Sequence, residues 1–183
     1  TGLGRSGALW AIEHFGVVPD LLITGKGLSG GLYPIAATVL SPSAATWLHE
    51  DGWAHVSTFG GAELGCAVAL KVLEITQREE VISNARAVGD RLYAGLQELQ
   101  RAHADWFVEI RRLGLIMGLK FADDFGGMQM CRALYDQGLW AMFAGLDTSV
   151  LQFKPGLLLT PAECDEALDR FARALAAFAE QRG

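Results

Sequence analysis

The sequence predicts an α/β fold, and three observations carry that expectation. Short apolar or β-rich runs alternate with longer stretches of helical period, glycine clusters separate them, and helices follow strands along the chain. The first run, Asp20 to Thr24, lies between Pro19 and Gly25 and reads as a strand buried on both faces. Tyr33 to Leu40 reads as a second strand, and the Gly27 to Gly31 cluster between the two permits a tight turn. From Glu63 the period changes. Leu64, Val68, Val72 and Ile75 recur at helical spacing and predict an amphipathic helix with those residues facing inward.

A longer helix is expected from about Glu80 to Ala104, with Val81, Ala85, Val88, Leu92 and Leu96 on one face. Its length predicts a connector, so 1–79 and 80–183 are expected to be separate parts, the second a small α/β domain. Trp106 to Ile110 and Leu113 to Phe121 read as strands, with Gly114 and Gly118 marking bends or close backbone approach. Met128 to Asp136 reads as a short helix ended by Gly138, and Leu139 to Phe143 and Val150 to Phe153 as further strands. The last helix has the clearest start: Thr160 as N-cap, Pro161 at the first helical position and Glu163 completing a capping box. Its expected apolar face is Cys164, Leu168, Phe171, Leu175 and Phe178.

Composition narrows the function classes. The 183 residues are 51% hydrophobic and 20% charged, with a net charge of −6 and only 4 lysines among 15 basic residues, so no basic stripe is available for a nucleic acid. No run approaches the ~18 apolar residues of a membrane helix, and the chain opens without a targeting signature, so a soluble, cytoplasmic protein is expected. Cys66, Cys131 and Cys164 are odd in number and sit in apolar segments, as buried free thiols do in a reducing compartment.

Two phosphate motifs are tested and set aside. Gly2-Leu3-Gly4-Arg5-Ser6-Gly7 matches a dinucleotide fingerprint but follows no strand, so a structural turn is expected there. Gly25-Lys26 matches the end of a P-loop, yet Asp20 and Gly27 stand where a glycine and a hydroxyl residue are required. What remains at Lys26 is a lysine between two glycines, just past a strand and without a nearby carboxylate in the sequence. A strand end is where α/β folds place ligand chemistry, and a lysine partly desolvated there can form Schiff bases.

Several segments together resemble the class III pyridoxal-phosphate aminotransferases. They are Thr1-Gly2-Leu3-Gly4-Arg5-Ser6-Gly7, Glu13-His14, Gly16-Val17-Val18-Pro19-Asp20, Gly25-Lys26-Gly27-Leu28-Ser29-Gly30-Gly31, Ser57-Thr58-Phe59-Gly60-Gly61 and Leu151-Gln152-Phe153-Lys154-Pro155-Gly156-Leu157. They follow in the family's order over essentially the whole chain. The resemblance implies a fold type I pyridoxal-phosphate-dependent transferase, with 1–79 as the second half of the large domain and 80–183 as the connector helix and small C-terminal domain. It implies pyridoxal 5'-phosphate as cofactor, Lys26 as the Schiff-base and catalytic lysine, and Thr58 as a donor to the cofactor phosphate of a neighbouring subunit in a homodimer. An amino donor and a 2-oxo acid acceptor are the implied substrates.

The chain also departs from the family. The aspartate that pairs with the pyridine nitrogen, the phosphate-cradling loop and the ring-stacking aromatic precede the segment matching Thr1, so the 183 residues alone are expected to be inactive. Gln152 stands where many members have an arginine that grips an α-carboxylate, and glutamine lacks its charge and fork. A diamine or ω-amino donor is therefore expected, or a carboxylate bound elsewhere, with Lys154 on the same strand face as one source of charge. Two other readings stand beside transamination: a decarboxylase, racemase or aminomutase on the same fold, and a noncatalytic chain that acts as a binding or dimerisation module.

Overall fold

The computed structural model describes residues 1–180. They form two compact units, residues 1–4 with 8–82, and residues 5–7 with 83–180. In the first unit, strand β1 (Leu21–Thr24) pairs antiparallel with β2 (Ala37–Leu40), Leu21 opposite Leu40 and Thr24 opposite Ala37. A 3₁₀ turn, Lys26–Ser29, follows β1 directly. Helix α1 (Thr46–Glu50) is a single short turn of helix, and α2 (Glu63–Thr76) packs against the 3₁₀ turn.

Four expectations for this unit are corrected. β1 is not buried on both faces: Leu21 and Ile23, which share one face of the ribbon, remain exposed, so none of the described residues packs as a layer over them. The second strand begins at Ala37 rather than Tyr33. In α2 the buried positions are Gly65, Ala69 and Thr76, while Leu64 and Ile75 are exposed. Close approach explains that shift, because a Cβ on Gly65 would lie 3.0 Å from the Tyr33 ring, so small residues, not bulky ones, face the turn. Cys66, one position along, is exposed and not buried; only Cys164 is fully buried, and burial pushes the Cys131 and Cys164 thiols up.

The second unit is a four-stranded antiparallel sheet in the order β3-β4-β6-β5, with helices on one face. Its strands are β3 (Phe107–Leu113), β4 (Ile116–Phe121), β5 (Met142–Ala144) and β6 (Asp147–Phe153). The helices are α3 (Glu79–Ala102), α4 (Gly126–Asp136) and α5 (Pro161–Glu180). β4 alternates strictly, burying Met117, Leu119 and Phe121, as a half-covered antiparallel strand should. The expected faces of α3 and α5 are buried, Leu168 only partly. Leu113 belongs to β3, not to the following strand, because the hairpin turns at Gly114.

The start of α5 is as the sequence predicts. Thr160 N and Oγ1 both donate to Glu163 Oε2 at 2.8 Å, and Glu163 N donates to Thr160 Oγ1 at 3.3 Å. These bonds hold the Glu163 carboxyl below the usual carboxylate range. The run read as a structural turn near the N-terminus behaves as one in the second unit. Leu115 N donates to Arg5 O at 2.9 Å, Arg86 Nε donates to Gly7 O at 2.6 Å, and the Arg5 guanidinium donates to Leu115 O and Pro155 O.

Helix α4 meets the backbone of β6 at Gly127, where an added Cβ would lie 2.4 Å from the Val150 carbonyl carbon. Backbone cannot yield as a side chain does. Gly127→Ala is expected to lose about 2 kcal/mol of stability, within the range for overpacking, in a urea titration; an unchanged midpoint would contradict this packing.

Candidate active site

Lys26 begins the 3₁₀ turn with a left-handed backbone, φ 49°. Residues other than glycine enter that region at a cost of roughly 1–3 kcal/mol, and such positions cluster at functional sites. The turn over-determines the angle. Leu28 N donates to Gly25 O at 3.1 Å and Gly30 N to Gly27 O at 3.0 Å. Ser29 Oγ donates to Lys26 O at 2.7 Å and accepts from Gly31 N at 3.0 Å. Leu28 is buried to 2% exposure, and Gly30 lies so near α2 that a Cβ there would be 2.9 Å from Val72 Cγ2.

The Lys26 side chain is exposed, so the desolvation expected of it is not supplied by the described residues. What distinguishes it is availability. Among the described residues, no hydrogen bond or ion pair engages its ammonium. The chain's other lysines are all engaged: Lys71 with Glu74 at 2.8 Å, Lys120 with Asp147 and Ser149 at 3.1 Å each, and Lys154 with Gln152. A primary amine without a partner, beside glycines that let a ligand approach the backbone, fits the attachment of an aldehyde cofactor.

Thr58 lies in the same unit, in the exposed loop between α1 and α2. The loop closes through Gly60 N donating to Ser57 O and Ala62 N to Phe59 O, each at 3.3 Å. Among the described residues the Thr58 hydroxyl makes no bond to its own loop, which leaves it available to a ligand. A cavity of about 480 Å³ opens alongside, lined by Trp53, His55, Val56, Ser57 and the two following glycines, Gly60 and Gly61.

Gln152 belongs to the other unit, half-buried on β6. Its Nε2 donates to Phe143 O at 3.2 Å and its Oε1 accepts from Lys154 Nζ. The structure therefore groups Lys26 and Thr58 in one unit and Gln152 with Lys154 in the other. Sequence reasoning missed Ser29, whose hydroxyl locks the Lys26 turn. A hydroxyl two residues before a glycine is the signal for that kind of turn.

The mixed α/β fold is that of fold type I pyridoxal-phosphate aminotransferases of known structure. The ornithine aminotransferase of Toxoplasma gondii, 31% identical, superposes with a TM-score of 0.89 over 100% of this chain and 42% of its own. A transaminase from the marine bacterium Virgibacillus, at 24% identity, shares the fold with a TM-score of 0.90 over 100% of this chain and 44% of its own. The chain belongs to the class III aminotransferase family, whose model matches residues 1–175.

An uncharacterized aminotransferase of Archaeoglobus fulgidus is 44% identical over 182 residues, 100% of this chain and 43% of the relative. The acetylornithine aminotransferase of Thermosynechococcus vestitus is 39% identical over 177 residues, 96% of this chain and 42% of the relative. The chain thus spans about two-fifths of the length of the curated relatives it matches. The cofactor of the family is pyridoxal phosphate, present at partial occupancy in the active site of the Toxoplasma gondii enzyme.

The strain at Lys26 is testable apart from any activity. Lys26→Gly is expected to unfold no earlier than the parent, whereas Lys26→Val, β-branched in a left-handed position, loses about 1–2 kcal/mol in thermal melts. Equal stability of the two variants would contradict the strained turn.

Proposed function

We propose that this chain supplies the lysine-bearing part of a pyridoxal-phosphate-dependent aminotransferase that moves an amino group from an amino acid, ω-amino acid or diamine to a 2-oxo acid. The observation that supports it is the Lys26 amine, the one lysine amine without a partner among the described residues, held on a strained turn at a strand end. When bound, pyridoxal phosphate supplies the electron sink that makes the proton on the reacting carbon acidic. Lys26 would hold the cofactor through its aldehyde, and its amine, once released by the incoming substrate amine, would move that proton as general base and acid. Ser29 and Leu28 hold the turn, so the amine approaches from a fixed direction.

In this reading Thr58 donates its hydroxyl to the cofactor phosphate in a second copy of the chain, making the site a property of a homodimer. Its exposure and free hydroxyl support that role. Residues 1–79 belong to the large cofactor-binding domain, and 80–183 form the connector helix and small domain. In this reading the substrates are small amino and oxo acids, and the enzyme works in the cytoplasm.

Equilibrium dialysis against pyridoxal phosphate tests the assignment. Lys26→Ala is expected to weaken uptake at least roughly tenfold, the equivalent of 1.4 kcal/mol, and Thr58→Ala to weaken it less. Lys71→Ala is expected to have no effect. Uptake unchanged in Lys26→Ala would overturn the proposal.

A further inference from the structure

Two residues other than glycine have a left-handed backbone among those described, Leu3 at φ 56° and Lys26 at φ 49°. Far apart in sequence, they meet in the first unit through Gly27. A Cβ on Gly27 would lie 2.9 Å from Leu3 Cδ1, and it would have no other described neighbour within 4 Å beyond the adjacent chain. The Leu3 side chain therefore fills the space that a side chain at position 27 would take. Gly27 has no left-handed angle of its own, so it is the approach of Leu3, not the backbone, that requires glycine there.

The loop that carries Leu3 is fixed independently of Lys26. Gly2 and Trp10 form an antiparallel bridge, Ala11 N donates to Thr1 O at 2.9 Å, and Gly4 N donates to Leu9 O at 3.3 Å. The Trp10 indole lies over Gly2, where a Cβ would collide with the ring. Glycine stands on either side of Leu3, yet the left-handed position itself holds a leucine, whose Cβ crowds the following carbonyl in a way that glycine avoids. What leucine adds in exchange is the side chain that reaches Gly27.

That contact answers a weakness of the Lys26 turn. Lys26 lies between two glycines, the residue type with the widest backbone freedom, and each must be restrained if the lysine is to keep one direction. Gly25 is restrained by Ala36, whose Cβ would lie 3.3 Å from a Cβ at position 25. The bonds from Leu28 N to Gly25 O and from Gly30 N to Gly27 O run within the turn itself. Leu3 restrains Gly27 from outside it.

We propose that Leu3 is a positioning residue for Lys26: its side chain packs on Gly27 and holds the lysine backbone so that the amine meets the cofactor aldehyde from one direction. The choice of ligand rests on the aminotransferase reading, whereas the support of the turn is measured without cofactor. Leu3 acts through the peptide that follows Lys26 and not by contact with the reacting atoms.

The test compares the 183-residue chain with Leu3→Ala, Leu3→Met, Gly27→Ala and the double variant Leu3→Ala/Gly27→Ala. Each is incubated with pyridoxal phosphate, reduced with borohydride and mapped by peptide mass. The amine and the aldehyde join with loss of water, and hydride from borohydride turns the carbon–nitrogen double bond into a stable secondary amine, so the label counts attachment. Leu3→Ala is expected to slow labelling at Lys26 roughly threefold or more, with the rate at Lys71 unchanged. Leu3→Met, close in volume, is expected to keep the parent rate. Gly27→Ala pushes the Leu3 side chain aside and slows Lys26 in the same way. The double variant is expected to lose no more than either single change, because both remove one contact. A merely structural role would lower the melting temperature and leave the ratio of Lys26 to Lys71 label as in the parent.

Hydrogen exchange without cofactor is the second readout. In Leu3→Ala the Leu28 and Gly30 amides, which close the turn, are expected to exchange roughly threefold faster or more, with Leu119 in the other unit as protected as before. An unchanged label ratio in Leu3→Ala, additive losses in the double variant, or a Leu3→Met rate as low as that of Leu3→Ala would overturn the inference. A parent chain with no preference for Lys26 would count against the cofactor role of Lys26 instead. Faster exchange in Leu3→Ala would then still support Leu3 as the brace of the turn, and unchanged exchange would overturn that too.

Discussion

At Lys26 the chain leaves a strand and reverses within a few residues through a left-handed backbone angle, and the candidate site depends on that turn staying closed. Holding a lysine there costs roughly 1–3 kcal/mol. Burial of a leucine side chain contributes about 1.5–3 kcal/mol, and Leu28, two residues on, is buried almost completely against the same unit. Ser29 adds a hydrogen bond to each end of the turn. The strain and its compensation are therefore local and of similar size. The consequence for chemistry is an amine whose backbone is fixed while its tip is unengaged, which is what attachment of a cofactor followed by proton transfer requires.

The second unit is organised by close backbone packing rather than by strain. Gly127 brings α4 onto β6, and the helices bury Leu92, Leu96, Phe107, Phe121, Phe171 and Leu175 against the inner face of the sheet. The sheet is thereby a firm support for its outer face, where side chains on separate strands meet only because the register aligns them. Arg5 strengthens the same platform by donating to carbonyls at the β3–β4 turn and just beyond β6. The residues nearest Lys154 are held from both sides of the chain.

Much of this was legible in the sequence, and the failures have a common cause. The faces of α3 and α5 were readable because bulky apolar residues at helical spacing leave little choice of face, and the α5 start was readable because a capping box is a local event. The buried face of α2 was misread because its packing uses Gly65 and Ala69, small residues that give no hydrophobic signal. Cys66 was misplaced with it. Lys26 stood out by its neighbours, but its backbone angle and its lack of partners did not, since both depend on where Leu28, Ser29 and the carboxylates lie in space. Gln152 stood out by its place in a motif, whereas its hydrogen bonds to Phe143 O and Lys154 follow from the folded sheet.

The central claim is that one lysine of four is chemically set apart for the cofactor. Borohydride reduction of the chain after incubation with pyridoxal phosphate, followed by peptide mass mapping, reads all four lysines at once. The account predicts the pyridoxyl mass on the peptide containing Lys26, with Lys71, Lys120 and Lys154 essentially unmodified. Label spread evenly over the four, or concentrated on any lysine but Lys26, would contradict it.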